Sequence, residues 1–236
     1  MSTKIIAAPD PNPTKPKIKL PPNACDAHCH IFGPADRFPY HPDRAYTPPD
    51  AGKDALKKLH DFLGIERAVI VHASCHGVYM DATLDGIATS NNKYRGTSIV
   101  SPDITDKELQ RYNAGGIRAV RFNFVKHLES VPEHSTVIRM AERIKDMGWH
   151  LVVHLDAENL VELSSLLRNL PIPFVIRKFR PRDRDRTRPI ATASEDPAPH
   201  CRWSRDAASG ARSIRIRVPG RQRESRSSHR PSNRKA

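Results

Sequence analysis

Apolar residues come in short runs along the first three quarters of the chain, at about 24–30, 67–74 (RAVIVHAS), 95–100 (RGTSIV), 117–125 (IRAVRFNFV), 150–155 (HLVVHL) and 173–176 (PFVI). Runs of this length, rich in β-branched residues, predict buried strands. The stretches between them carry a helical period. DAGKDALKKLHDFLG places Leu56, Leu59 and Leu63 at i, i+3 and i+7 and stops at Gly64. TDKELQRYNAGG opens on a Thr105-x-x-Glu108 capping box and closes on glycines. STVIRMAERIKDMG and DAENLVELSSLLRNL read as two further amphipathic helices, and the stretch near 81–92 as the least periodic one. Strands that alternate with helices and are almost continuously apolar imply a parallel sheet covered on both faces.

Six strands with five crossovers fit an open doubly wound sheet or most of a (β/α)8 barrel. No strand is followed by G-x-G-x-x-G or G-x-x-x-x-G-K-[ST], which weakens the nucleotide-binding version. Polar residues instead recur near the C-terminal ends of strands: His28 and His30, His72 and Ser74, Arg121 and Asn123, His154 and Asp156. In a barrel those ends form the active-site mouth. The predicted fold is therefore α/β, an incomplete TIM-like (β/α)8 barrel of about six strands over residues 24–176. A Pro-rich arm, residues 1–23, precedes it and is expected to be flexible or polyproline-like, lying on the surface without regular structure.

Charge changes the picture at one point. The chain of 236 residues carries a formal net charge of +13, but residues 177–236 hold 18 of the basic side chains against 6 acidic ones. The remaining 176 residues are nearly neutral. From residue 177 the apolar runs thin out, Arg alternates with polar residues, and Pro and Ser are frequent. That composition predicts a disordered, Arg-rich tail. The switch falls inside the last strand, directly after Phe-Val-Ile, so the tail reads as a translation out of frame. Rival readings are a solvated tail without a role and a basic arm for nucleic acid or acidic lipid. Phe179 and Trp203 are its only aromatics, too few for a base-stacking platform. The four cysteines suit a reducing compartment, and Cys25-x-x-x-Cys29 lacks a second pair at zinc-finger spacing, so these two read as small apolar filler. No run has the length of a membrane span, and no signal peptide is evident. A cytoplasmic protein without membrane partners is expected.

The stretch NACDAHCHIFGP sets two histidines two apart. On a regular strand Asp26, His28 and His30 share one face. Two imidazoles on one face can hold a divalent metal or polarise a carbonyl without one. At this point DAHCHIFGP, RFPY, AYTPPDAG, VIVHASCHG and GIRAVRFNFVKHL together resemble the lactonases of the amidohydrolase superfamily that open 2-pyrone dicarboxylates, in the amidohydrolase-2 group. The resemblance runs from about residue 17 to 176. It implies a distorted (β/α)8 barrel, a metal-free hydrolase, and a small carboxylated cyclic lactone as substrate. It implies that His28 and His30 bind the scissile carbonyl, and that Tyr46, Ser74 and Arg121 hold substrate carboxylates. An arginine fork suits that task.

The chain departs from the family pattern in three places. His127 stands where the family has a second arginine, and would hold substrate as a hydrogen-bond donor. His154 stands where it has a tyrosine, and joins the expected substrate-binding set. A histidine there also opens an alternative, a single divalent metal such as zinc on His28, His30 and His154. Arg177-Lys178 stands where the family has an Asp-His pair, and no later acid sits in the context of the family's general base. The expectation is a lactonase-like protein that is inactive as written. The alternatives are a metal-dependent amidohydrolase of the same group and a non-catalytic nucleic-acid binder acting through the basic tail.

Overall fold

The computed structural model describes residues 4–125, 131–156 and 159–177, and the backbone of 202–205 and 212–215. Its centre is one parallel sheet of six strands: β2 (Cys25–Cys29), β4 (Arg67–Val71), β5 (Tyr94–Ser98), β6 (Ile117–Asn123), β7 (His150–His154) and β8 (Phe174–Arg177). They pair in that order, β2-β4-β5-β6-β7-β8, as consecutive neighbours of a curled half-barrel. Five helices run between them: α1 (Lys53–Leu63), α2 (Asp81–Ala88), α3 (Asp106–Ala114), α4 (His134–Lys145) and α5 (Asn159–Arg168). Each apolar run of the sequence is thus a strand, and each periodic stretch a helix.

The helices cover the sheet with narrow apolar stripes. In α4, Val137, Met140, Ala141 and Ile144 are buried at i, i+3, i+4 and i+7. They meet Leu151, Val153 and Trp149 of the strand side in one core. Trp149 is buried and donates its indole N–H to Asn113 Oδ1 at 2.9 Å, so its polar edge is satisfied. The capping box of α3 forms as expected. Thr105 Oγ1 accepts the Glu108 N–H at 3.2 Å and the Glu108 carboxylate faces the Thr105 N–H. Gly64, at φ 76°, ends α1 with a left-handed residue that costs glycine little.

Four expectations are corrected. The apolar stripe of α1 is not Leu56, Leu59 and Leu63: Leu59 is 37% exposed, and His60 takes the buried position at 1%. A buried imidazole is tolerable there because both ring nitrogens have partners. The Tyr94 hydroxyl donates to Nδ1 (2.8 Å), and Nε2 faces Asp26 Oδ2 (3.3 Å). Secondly, β2 is not a regular strand. Its pairing with β4 shifts between Asp26 and Cys29, which breaks the alternation of faces. Thirdly, Cys25 is exposed, so only Cys29 of that pair fills the interior. Fourthly, the Pro-rich arm is not wholly without structure: β1 (Lys4–Ile5) pairs in parallel with β3 (Tyr46–Thr47).

The chain divides into two units, residues 1–185 and 186–236. In the second, β9 (Arg202–Arg205) and β10 (Arg212–Arg215) pair antiparallel, so strand structure exists where the sequence showed no strand period. The other residues of the expected tail, from 178 on, lie outside the described set.

Candidate active site

Several of the polar residues at the strand ends converge, whereas His72 is buried with its ring engaged by Thr83 and the Gly77 carbonyl. His28 and His30, on β2 and just after it, lie with ring centroids 5.0 Å apart and planes at 82°. His30 continues to Phe32 at 5.8 Å, and Phe32 to Tyr46 at 6.5 Å. The Tyr46 hydroxyl meets the side chains of Ser74 and Cys75, in the short turn after β4. Arg121 faces the same space from β6, since its charge registers at His28, His30 and Tyr46. Five of the expected residues thus come together. His127 lies outside the described residues.

Asp26 leaves the histidine pair. One of its carboxylate oxygens accepts the His28 backbone N–H at 2.9 Å, and the other faces His60. The hydrogen bond to His60 holds its pKa below the usual carboxylate range against the cost of burial. The irregularity in β2 is what lets Asp26 bond α1 while His28 and His30 face the mouth.

The two histidines are neutral at pH 7. Burial pushes His28 down to about 3, and the charges of Arg177, His30 and Arg121 push the same way. Burial pushes His30 down to about 4, against the pull of the Val71 carbonyl. That carbonyl, 2.7 Å from Nδ1, can only accept. His30 therefore carries its proton on Nδ1, and its Nε2 offers a lone pair. His28 Nε2 is buried and has no hydrogen-bond partner among the described residues. An orphaned buried nitrogen at a site mouth is available to a ligand. The sequence reading gave both histidines the same task; the geometry separates them, since His30 Nε2 is an acceptor and His28 Nε2 is a buried nitrogen without a partner among the described residues.

Arg121 is 6% exposed and donates from Nε to Asn123 Oδ1 at 3.0 Å. Its Nη2 lies 3.0 Å from His154 Nδ1. Asn123 Oδ1 lies 3.2 Å from the same nitrogen, so a donor and an acceptor converge on His154 Nδ1. His154 thus stands in the site as a partner of Arg121. The alternative metal trio does not fit. Among the described residues, the group whose ligand atoms lie within 4.8 Å of one another is Asp26, Cys29 and His60, not His28, His30 and His154. Two guanidiniums acting on the histidine pair also oppose a dication. Asp26, Cys29 and His60 are no better: both His60 nitrogens are engaged, and burial lifts the Cys29 thiol to about 12.

Sequence reasoning missed two contributors. Asn123, which braces Arg121, was legible only as a polar residue two positions on. Arg177 was read as a departure, yet it sits at the end of β8 with its charge felt by both histidines. No local signal announces it, because its neighbour His154 is 23 residues away and meets it through strand register alone.

Comparison with known proteins finds relatives of the chain. The chain is 45% identical over 165 residues to a 2-pyrone-4,6-dicarboxylate hydrolase of Comamonas testosteroni, covering 70% of this chain and 54% of the relative. It is 32% identical over 164 residues to a 4-sulfomuconolactone hydrolase of Hydrogenophaga intermedia, covering 69% and 54%. The chain therefore spans about half the length of the curated relatives it matches. A crystal structure from Acinetobacter baumannii with citric acid bound shares the fold, with TM-score 0.59 at 24% identity, over 65% of this chain and 57% of that one. Residues 25–177 match the family model described as amidohydrolase, and the chain belongs to that family.

Proposed function

We propose that the barrel mouth recognises a small carboxylated cyclic lactone and that this chain holds it without efficient turnover. The observation that carries the reading is the neutral His28–His30 pair beside a buried, braced Arg121. His28 Nε2 donates to the ring carbonyl and would stabilise the oxyanion formed by water attack. Arg121 takes a ring carboxylate in its fork, with Tyr46 and Ser74 at the rim. His30 Nε2 accepts a proton of the water and orients it. As a base it is poor: a pKa of about 4 lies well below the operating pH that general-base catalysis favours. The carboxylate nearest the pair in sequence, Asp26, has its oxygens committed to β2 and α1. The relatives named as hydrolases of such lactones support the substrate class.

The test is calorimetry and ultraviolet assay of the full chain with 2-pyrone-4,6-dicarboxylate. We expect saturable binding, weakened at least tenfold by Arg121→Gln and by His28→Asn, and hydrolysis no faster than background. Failure to bind the lactone would overturn the recognition reading. Rapid hydrolysis would overturn the inactivity.

A further inference from the structure

The guanidinium of Arg177 has no hydrogen-bond or ion-pair partner among the described residues, although it is half-buried. Desolvation lowers its pKa, so the protein bears a cost in holding that charge there. A half-buried cation without a partner among the described residues calls for an anion. The sheet shows where that anion would sit. Asn123 pairs with His154 across β6 and β7, and His154 pairs with Arg177 across β7 and β8. These three residues therefore form one lateral row on one face. Arg121 lies on that same face, two residues before Asn123 on β6, and its Nη2 touches His154. Strand spacing and rise put the Cα atoms of Arg121 and Arg177 about 12 Å apart. Two long side chains reaching inward from that separation can grip one small ring from two sides. The charges of both arginines act on His28, whose buried Nε2 lacks a partner among the described residues.

We propose that Arg177 is a second carboxylate anchor, which with Arg121 makes this mouth selective for compact dicarboxylates over monocarboxylates. The inference rests on the recognition reading above and adds the residue that supplies the second contact.

The experiment is titration calorimetry of the full chain with benzene-1,3-dicarboxylate and with benzoate. Neither can be hydrolysed. The wild type should bind the dicarboxylate at least tenfold more tightly than benzoate. Arg177→Gln should lose that preference, weakening the dicarboxylate about tenfold and leaving benzoate within about twofold. Arg121→Gln should weaken both. Arg177→Gln should also melt no lower than wild type without ligand, because it removes an unpaired half-buried charge; a merely structural arginine would lower the melting temperature. An Arg177→Gln protein that keeps the full preference while Arg121→Gln loses binding would overturn the anchor and leave the recognition reading standing. A folded wild type that binds neither compound would overturn both.

Discussion

The imidazoles of this protein make its stability depend on pH in a defined direction. His72 is fully buried, with Nδ1 against Thr83 Oγ1 at 2.9 Å and Nε2 against the Gly77 carbonyl at 3.0 Å. Burial, reinforced by the charge of His76, pushes its pKa down to about 3 from an ordinary 6.5. The unfolded chain takes up a proton near pH 6.5, whereas the native state does not until about 3. Between those values the unfolded state binds more protons, so native stability falls as pH falls. The loss from His72 alone is about 2 kcal/mol at pH 5. His28 and His30 act in the same direction. Urea unfolding at pH 7.5 and pH 5 should show the loss, and His72→Asn should reduce it. Equal pH slopes for the two proteins would refute the assignment. The ring itself was legible in the sequence only as a strand-end polar residue. Nothing in the linear order distinguished a satisfied interior histidine from His28, whose Nε2 has no partner among the described residues.

At the scale of elements, β2 and α1 are joined by one carboxylate. Asp26 bonds the His28 N–H and meets His60, which in turn accepts from Tyr94 on β5. That chain fixes the irregular step in β2 and with it the aim of His28. Asp26→Ala strips acceptors from two buried donors and should cost about 1–3 kcal/mol. It should also weaken dicarboxylate binding, although Asp26 touches no ligand. Thr105→Ala serves as the counterpart. Loss of its cap on α3 should cost about 1 kcal/mol and leave binding unchanged. Denaturant midpoints and calorimetry on both variants check the contrast; equal losses of binding would show that the Asp26 effect is only general destabilisation. The element order was readable because the strands are β-branched runs of strand length and the helices repeat near 3.6. The face of Asp26 was not readable, since one irregular step reverses alternation and leaves no mark in residue type. His60 escaped for a related reason: periodicity counts apolar residues, and a histidine with both nitrogens satisfied packs like one.

At the scale of the whole molecule, charge and fold part company. The family match ends at residue 177, where the basic excess begins. None of the described helices is long and apolar enough to cross a membrane. We infer that any affinity for polyanions resides in the segment after the barrel. Binding of the full chain to heparin should weaken steeply with added salt. The Arg121→Gln and Arg177→Gln variants should match wild type in that assay, because their guanidiniums serve the mouth. A loss of heparin affinity in either variant would place the polyanion site on the barrel instead. Resequencing across codon 177, with translation of all frames, tests whether an Asp-His pair follows Ile176 in another frame.

The strand that carries Arg177 has a further consequence. Among the described residues β8 pairs only with β7, so it closes the sheet on that side with one ladder of backbone hydrogen bonds unanswered. Such a strand frays more readily than its neighbours. A dianion clamped between Arg121 on an interior strand and Arg177 on this outermost one would act as a latch across β6, β7 and β8. Occupancy of the mouth and integrity of the sheet margin would then be two faces of one equilibrium, with backbone amide exchange at Val175 and Ile176 slowing in proportion to bound ligand.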